Sequence, residues 1–481
     1  MTASQITENP SLQITDEQTP LLHNDIEHDI SKKKEYDVYD RFTKSQRWFI
    51  TALIAFAGLS PLFISGSFVP SIPQIAKDLG TTGEVINLAV SLSIVSNAFG
   101  SLLWSSYSSY YGRKPIYLLS LSIQCVGTIG VGTSRTVPLL LFWRVIQAFG
   151  SSSGLSVGMG VIGDIYRIEE RGTASGIFFA AVLLGPALAP PIGGITAHYY
   201  SWRVMQFGLF LFALTCLVLT IFFQPETCQP GARGIDKARV KGEKDRFVFL
   251  NPLRSLALLR SPNIALPAAE GAFVLMCDLA LIIPISFTIG QKYDITNEAI
   301  IGALCIPLGV GNCIGAPLAG MLSDRIVVRA RKRRGGVYVP EDRLHATTLG
   351  GAVFVPCSIL LVGLSLRYLD GIPGLVVICI CFFFNGLGVD FVLGPLAAYN
   401  VDILHDRSAE VMAASMSFRS AMVSLAVTFI LPAIHTFGVL PTYTALAFLS
   451  WFGFGLIVAT IKYGDRMRAW VDLGFTIAGN N

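Results

Sequence analysis

Apolar positions along this chain gather into long runs separated by short polar stretches. A helix needs about 20 apolar residues to cross the hydrocarbon core of a bilayer. Twelve runs of that size follow one another. The first six centre near Ala55, Ser93, Val126, Ser151, Leu184 and Ala213, and the second six near Met276, Leu308, Val355, Phe384, Ser420 and Phe452. A polar, basic stretch between Glu226 and Arg260 separates the two sets and is long enough to be a linker rather than a turn. The pattern predicts an all-α integral membrane protein of twelve spans in two six-helix bundles. The bundles are placed at 47–225 and 263–463, with a cytoplasmic tail at 1–46, a central loop at 226–262 and a second tail at 464–481.

Composition agrees with lipid as the main solvent. The chain is 52% hydrophobic and 14% charged, where a soluble domain carries roughly a quarter charged residues. Its nine cysteines, among them Cys125, Cys216, Cys313 and the pair Cys379 and Cys381, fall almost entirely inside apolar runs. Small packing residues explain them better than metal ligands or disulfides. The six histidines show no close pair in the apolar part, which disfavours a histidine-metal membrane enzyme. The first 46 residues hold no apolar run of the signal-peptide kind and read as a disordered tail. Within them "EQTPLL" (Glu17 to Leu22) resembles an acidic dileucine sorting signal for endosomal or vacuolar delivery.

Lysine and arginine set the orientation. With the tail inside, the inner segments collect Lys32, Lys33, Lys34, Arg113, Lys114, Arg167, Arg171, the central loop and "RARKRR" after Arg325. The outer loops keep Lys77, Arg135, Arg203, Lys292 and Arg367. Both ends are therefore expected in the cytoplasm.

The two sets also echo each other. Gly100 precedes Ser109 by nine residues at the inner end of the second run, and Gly315 precedes Asp324 by nine at the inner end of the eighth. The fourth and tenth end in "GDIY" (Asp164) and "VDIL" (Asp402). Parallel six-helix repeats are one of the main transporter plans, with the substrate site between the halves near the midplane.

Several segments carry a family resemblance: "GSLLWSSYSSYYGRKP", "RVIQAFG", "GDIYRIEERG", "LLGPALAPPIGG", "SWRVMQF", "VPEDRLHA" and "YNVDILHDRSAE". From Trp48 to Lys462 the chain resembles a major facilitator superfamily transporter, and within it the fungal twelve-span drug:proton antiporter branch of multidrug, polyamine and organic-acid exporters. The resemblance implies a proton gradient as the energy source, no cofactor or metal, a small-molecule cargo, no nucleic acid, and a monomer in the plasma membrane, with vacuole or endosome as the alternative.

The fifth run sets Gly185, Pro186, Pro190, Pro191, Gly193 and Gly194 within ten residues. Proline removes a backbone donor and glycine lets a neighbouring helix come close. Tight packing is the plain reading; in the family the pattern marks exporters that exchange cargo for protons. The "GSLLWSSYSSYYGRKP" turn resembles the family's G-x-x-x-D-x-x-G-R-K motif. Gly112, Arg113 and Lys114 match, while Ser105, Ser109 and Tyr110 replace the usual glycine, aspartate and basic residue. In the family that aspartate braces the outward-facing state. The other half keeps Gly320, Asp324 and Arg325, so a charged C-terminal latch and a weakened N-terminal one are expected.

A charged side chain inside a span is costly and faces a partner or water. Arg144, with Gln147 one turn on, stands in the fourth run and Arg419 in the eleventh; Glu270 and Asp278 stand in the seventh and Asp390 in the tenth. The resemblance gives Arg144 a part in proton coupling, acting on a nearby acid; a snorkelling anchor is the plain alternative. Glu270 and Asp278 are eight residues apart, within about a quarter turn on an ideal helix. Carboxyl groups removed from water favour the neutral form and can carry protons. Arg419 is expected to pair with one of these acids or to meet an anionic cargo. On the inner turns Arg113, Lys114, Asp164, Glu169, Glu170 and Arg171, with Asp324, Arg325 and Asp402, are expected to form a gate whose opposite charges hold the halves in one state.

Charges of both signs leave cargo open between a di- or tricarboxylate and an amphipathic cation. A proton-driven exporter leads. An uptake facilitator or symporter shares the architecture, and a non-transporting sensor would need larger cytoplasmic domains. The absence of a G-x-x-x-x-G-K-[ST] phosphate loop disfavours a primary pump, and no nucleophile or metal constellation supports an enzyme.

Overall fold

A computed structural model of the chain describes Tyr39, residues 41–229, 231, 233–240, 248–404 and 408–471. Of the tail expected at 1–46, Tyr39 and residues 41–46 are described, and the first helix already begins at Lys44; the dileucine-like signal lies outside the described residues.

Twelve helices are long and apolar enough to cross a membrane. In the first half these are α1 (Lys44–Asp78), α2 (Gly83–Tyr111), α3 (Arg113–Thr133), α4 (Val137–Ile165), α5 (Ala174–Tyr199) and α6 (Trp202–Phe223). In the second half they are α7 (Pro262–Gly290), α8 (Glu298–Arg333), α9 (Pro340–Tyr368), α10 (Gly371–Ile403), α11 (Glu410–Phe437) and α12 (Val439–Trp470). The described residues contain no strand, as lipid requires of a chain that does not close into a barrel. The last span runs to Trp470, seven residues beyond the boundary expected from hydropathy, because its final turns are anchored by Arg468 to Glu341.

Local chemistry sets the helix starts. Thr43 and Gln46 form a reciprocal capping box on α1. The α3 start is capped from afar: the Glu226 carboxylate accepts the Arg113 backbone N–H at 2.9 Å and that of Lys114 at 3.3 Å. That carboxylate also decides the preceding residue. Gly112 has φ +112°, and a Cβ there would lie 2.5 Å from Glu226 Oε2, so only glycine fits.

An even number of crossings brings both ends of the described chain and the α6–α7 connection to one face, the terminal face. Arg41, just before α1, there donates to the Cys228 carbonyl at 3.2 Å. The linker holds a short helix, Gly234–Val240, and a 3-10 turn, Pro252–Arg260.

The halves meet along two seams, α2 with α11 and α5 with α8. In the first, Asn87 donates to the Val427 carbonyl at 2.6 Å and Ser424 to the Ser91 carbonyl at 2.8 Å. In the second, backbones touch: a Cβ on Gly194 would lie 2.2 Å from the Glu298 carbonyl oxygen, and one on Gly309 2.3 Å from the Ala187 Cα. All these contacts lie in the helix portions nearest the face opposite the termini. The halves are zipped together there.

Candidate functional site: buried charges between two clamped halves

The α5 cluster closes two different contacts. Gly193 faces α1, where a Cβ would lie 2.2 Å from the Ser67 carbonyl oxygen, and Gly185 faces Leu62 of the same helix. Gly194 and the Pro190 carbonyl face α8 across the seam, the latter against Gly302. Pro186, Pro190 and Pro191 all sit inside the helix. The segment is thus a close-packed rib between α1 and the second half.

Arg144 is wholly buried, yet no carboxylate pairs with it among the described residues. Its Nη1 donates to Gln147 Oε1 at 2.9 Å, and its guanidinium lies over the Phe68 ring, 4.1 Å from the centroid. Gln147 in turn donates to Thr128 at 3.1 Å and to Gln206 at 3.0 Å. The acid that the resemblance implied beside Arg144 is therefore replaced by an aromatic face and an amide chain. Nε and Nη2 keep no partner. Leaving such donors unmet in a dry site costs about 1–3 kcal/mol each. Thr128, Gln206 and Phe68 were not singled out in the sequence, since none is unusual in an apolar run.

The three acids within the spans divide. Glu270 is wholly buried and points away from the other two, into a slot between α9 and α12; Cβ atoms on Gly351 and Gly453 would collide with its carboxylate oxygens. Neither oxygen has a partner. Asp278, further along α7, instead lies where its charge reaches Cys305 of α8 and Asp390 of α10. The face expected to be shared by Glu270 and Asp278 is split, because the angular offset between them is enough to aim them at different helices. Asp390 packs beside Gly315 of α8. One oxygen of each aspartate is buried without a partner. Arg419 is half-buried beside Gly271, a Cβ on which would lie 2.7 Å from its Cδ, and it makes no ion pair among the described residues. The pairing expected of it with an acid is absent from this state.

The charges at the terminal face form one clamp in each half. Arg113 of α3 grips Asp164 at the end of α4 at 2.8 Å, and its Nη1 donates to Ser108 Oγ at 2.8 Å. Lys114 Nζ donates to the Ile221 carbonyl at 3.0 Å, closing the end of α6. Arg47 meets Glu170 at 3.0 Å. The side chains of Glu169 and Arg171 lie outside the described residues. Ser109 is exposed, and its hydroxyl donates to the Ser105 carbonyl of its own helix.

In the second half the cation is Arg343, from the start of α9. It donates to Asp324 of α8 at 2.9 Å and to Asp402 of α10, which also accepts from the Tyr338 hydroxyl. Burial, then the bond to Asp402, push the Tyr338 phenol up, which keeps it a donor. Arg325, expected as the partner of Asp324, is exposed and makes no ion pair among the described residues. It points off the helix, whereas Arg343 enters between α8 and α10. Three consecutive residues do the stitching: Glu341 binds Arg468 of α12, Asp342 binds Arg334 in two bonds of 2.6 Å, and Arg343 binds the two aspartates. The signal was the polar run "VPEDRLHA" at a helix start. Every ion pair named here joins elements of one half, so the charges brace each half internally instead of latching the halves together.

The Major Facilitator Superfamily sequence pattern matches residues 54–427. The chain belongs to that superfamily. It is accordingly a membrane transporter and not an enzyme. The chain is 34% identical over 193 residues to the MFS antiporter QDR3 of Candida albicans, a match covering 40% of this chain and 28% of that relative. It is 26% identical over 468 residues to the probable drug/proton antiporter YHK8 of Saccharomyces cerevisiae, covering 90% of this chain and 87% of that one. Its fold matches the crystal structure of the human organic anion transporter MFSD10 (TETRAN) with a TM-score of 0.59 at 17% identity, over 86% of this chain and all of that one. The transporter thus shares its fold with a protein of quite different sequence.

Proposed function

We propose that this transporter exports a small organic molecule in exchange for protons by alternating access, with Asp278 and Asp390 as the proton carriers. The observation that carries the reading is their arrangement. On α7 and α10 stand two carboxyl groups, Asp278 buried and Asp390 half-buried, each with a buried oxygen that meets no partner and neither paired with a cation among the described residues. A carboxyl group held out of water with no cation beside it favours the neutral form, so each can hold a proton or take a positive group from a cargo. Relatives bearing the names antiporter and drug/proton antiporter support exchange as the mode.

Lysine and arginine gather at the terminal face, so that face is assigned to the cytoplasm of a plasma-membrane protein. The zipped face is then outer, and the described state is closed to the outside. Arg144, buried, and Arg419, half-buried, both without carboxylate partners among the described residues, support a cargo with carboxylate groups, such as a di- or tricarboxylate. The test is countertransport in reconstituted vesicles under an imposed pH gradient: Asp278→Asn should abolish gradient-driven exchange while leaving cargo binding in part. Gradient-driven exchange that survives both Asp278→Asn and Asp390→Asn would refute the assignment.

A further inference from the structure

Two histidine–glutamate pairs span the seams at the face opposite the termini. His198 of α5 meets Glu298 of α8 with Nδ1 and Oε2 3.0 Å apart. His435 of α11 meets Glu84 of α2 with Nδ1 and Oε1 3.5 Å apart. The two halves repeat each other, so α2 corresponds to α8 and α5 to α11. The pairs are therefore copies of one contact. Each glutamate stands in the first turn of its helix and each histidine in the last turn of its own. These are the ends at which the helix dipoles favour negative and positive charge respectively. Each pair joins one half to the other, unlike the clamps of the terminal face.

We infer that His198 and His435 are proton-binding sites that hold the opposite face shut, a paired pH sensor distinct from the carboxyl groups of the exchange site. A protonated imidazole facing a carboxylate forms an ion pair, whereas a neutral one keeps at most a hydrogen bond. Histidine exchanges that proton within the range of about pH 5 to 8. Closure is therefore strongest in acid and weakens as pH rises. Solvent reaches all four side chains, with 35% and 54% of the histidine and 21% and 40% of the glutamate side chains exposed, so the pH of the outer solution sets the state of the pairs.

Few other charges face them. Glu84 is the only charged residue of α2, and α12, which packs on α11, carries none before Lys462. On α7 the acids are Glu270 and Asp278, deeper in the span. The other charges of that face are Lys77, Asp78, Arg135, Arg203, Lys292, Asp294, Arg367 and Asp370, of which Asp78 is bonded to Arg203 and Asp370 is paired with Lys292. An imidazolium at either place thus has one carboxylate as its direct partner.

The inference rests on the alternating-access reading, and its test reads conformation rather than transport. Spin labels at Tyr200→Cys in the first half and Ile372→Cys in the second, in a background without reactive cysteines, report the separation across the opposite face. In the full-length protein without cargo, raising pH from 5.5 to 8 should increase the open-to-closed ratio about two- to thirtyfold, the range that two exposed ion pairs span. His198→Gln with His435→Gln should remove this response, and Glu84→Gln with Glu298→Gln, an independent route, should remove it as well. A response that persists in both double variants overturns the inference. So does the absence of any response in the parent protein, or a response lost in Asp278→Asn and kept in the histidine variant. That last outcome assigns the response to the exchange carboxyls and leaves the proposed function standing; intact pH-dependent closure without proton-driven exchange would do the reverse.

Discussion

Arg343 lies between Asp324 and Asp402, whereas the guanidinium of its counterpart Arg113 meets one carboxylate, Asp164, and the hydroxyl of Ser108. The two clamps have the same position at the start of the third helix of each half, yet one closes on two acids and the other on one. Arg343→Ala leaves Asp402 with the Tyr338 hydroxyl alone and returns the exposed Asp324 to water, and should cost about 1 kcal/mol. Thermal unfolding in detergent should show a lower midpoint for that variant than for Ser109→Asp, which adds a carboxylate to the weaker clamp. Equal midpoints would remove the distinction between the clamps.

Glu270 and Asp278 separate by direction. Glu270 fills a slot lined by Gly351 and Gly453, so Glu270→Gln, of nearly the same shape, should keep exchange and its pH dependence. Gly453→Ala should instead destabilise the second half, because the new methyl has no room beside the carboxyl. Exchange assayed against pH checks the first, and thermal unfolding the second.

Gly193 and Gly194 are neighbours with different duties. Gly194→Val should wedge α5 from α8 and raise labelling of cysteines from the opposite face. Gly193→Val should push α5 from α1 within the first half, lowering stability and halting transport without that rise in labelling. Cysteine accessibility and unfolding midpoints measured on both variants separate the two effects.

Arg144→Ala should be inactive while still inserting and folding, since it removes the head of the Gln147–Thr128–Gln206 chain. Arg144→Lys keeps the charge over Phe68 but not the planar donor set, and should retain reduced exchange. Equal activity of Arg144→Lys and the parent would show that charge alone suffices.

Hydropathy made the twelve spans legible because lipid imposes a coarse and continuous requirement on each. The same signal could not place side chains around a helix. Glu270 and Asp278 look alike in sequence, and the packing of α9 and α12 is what parts them. Arg325 seemed the partner of Asp324 because the two are adjacent, but the true partner arrives from the next helix. Nor does any local pattern announce the His198–Glu298 and Glu84–His435 pairs, whose members are 100 and 351 residues apart in the chain. They become visible once the repeat is folded on itself.

The central claim is exchange of cargo for protons through Asp278 and Asp390, and the most direct measurement is uptake into proteoliposomes with an acidic interior. Citrate as a tricarboxylate and ethidium as an amphipathic cation serve as probes, each first shown to undergo counterflow without a gradient. The account predicts that the acid interior drives accumulation of a counterflow-positive probe, that a protonophore abolishes it, and that Asp278→Asn retains counterflow but loses the drive. Counterflow that proceeds equally with and without the gradient in the parent protein would contradict it.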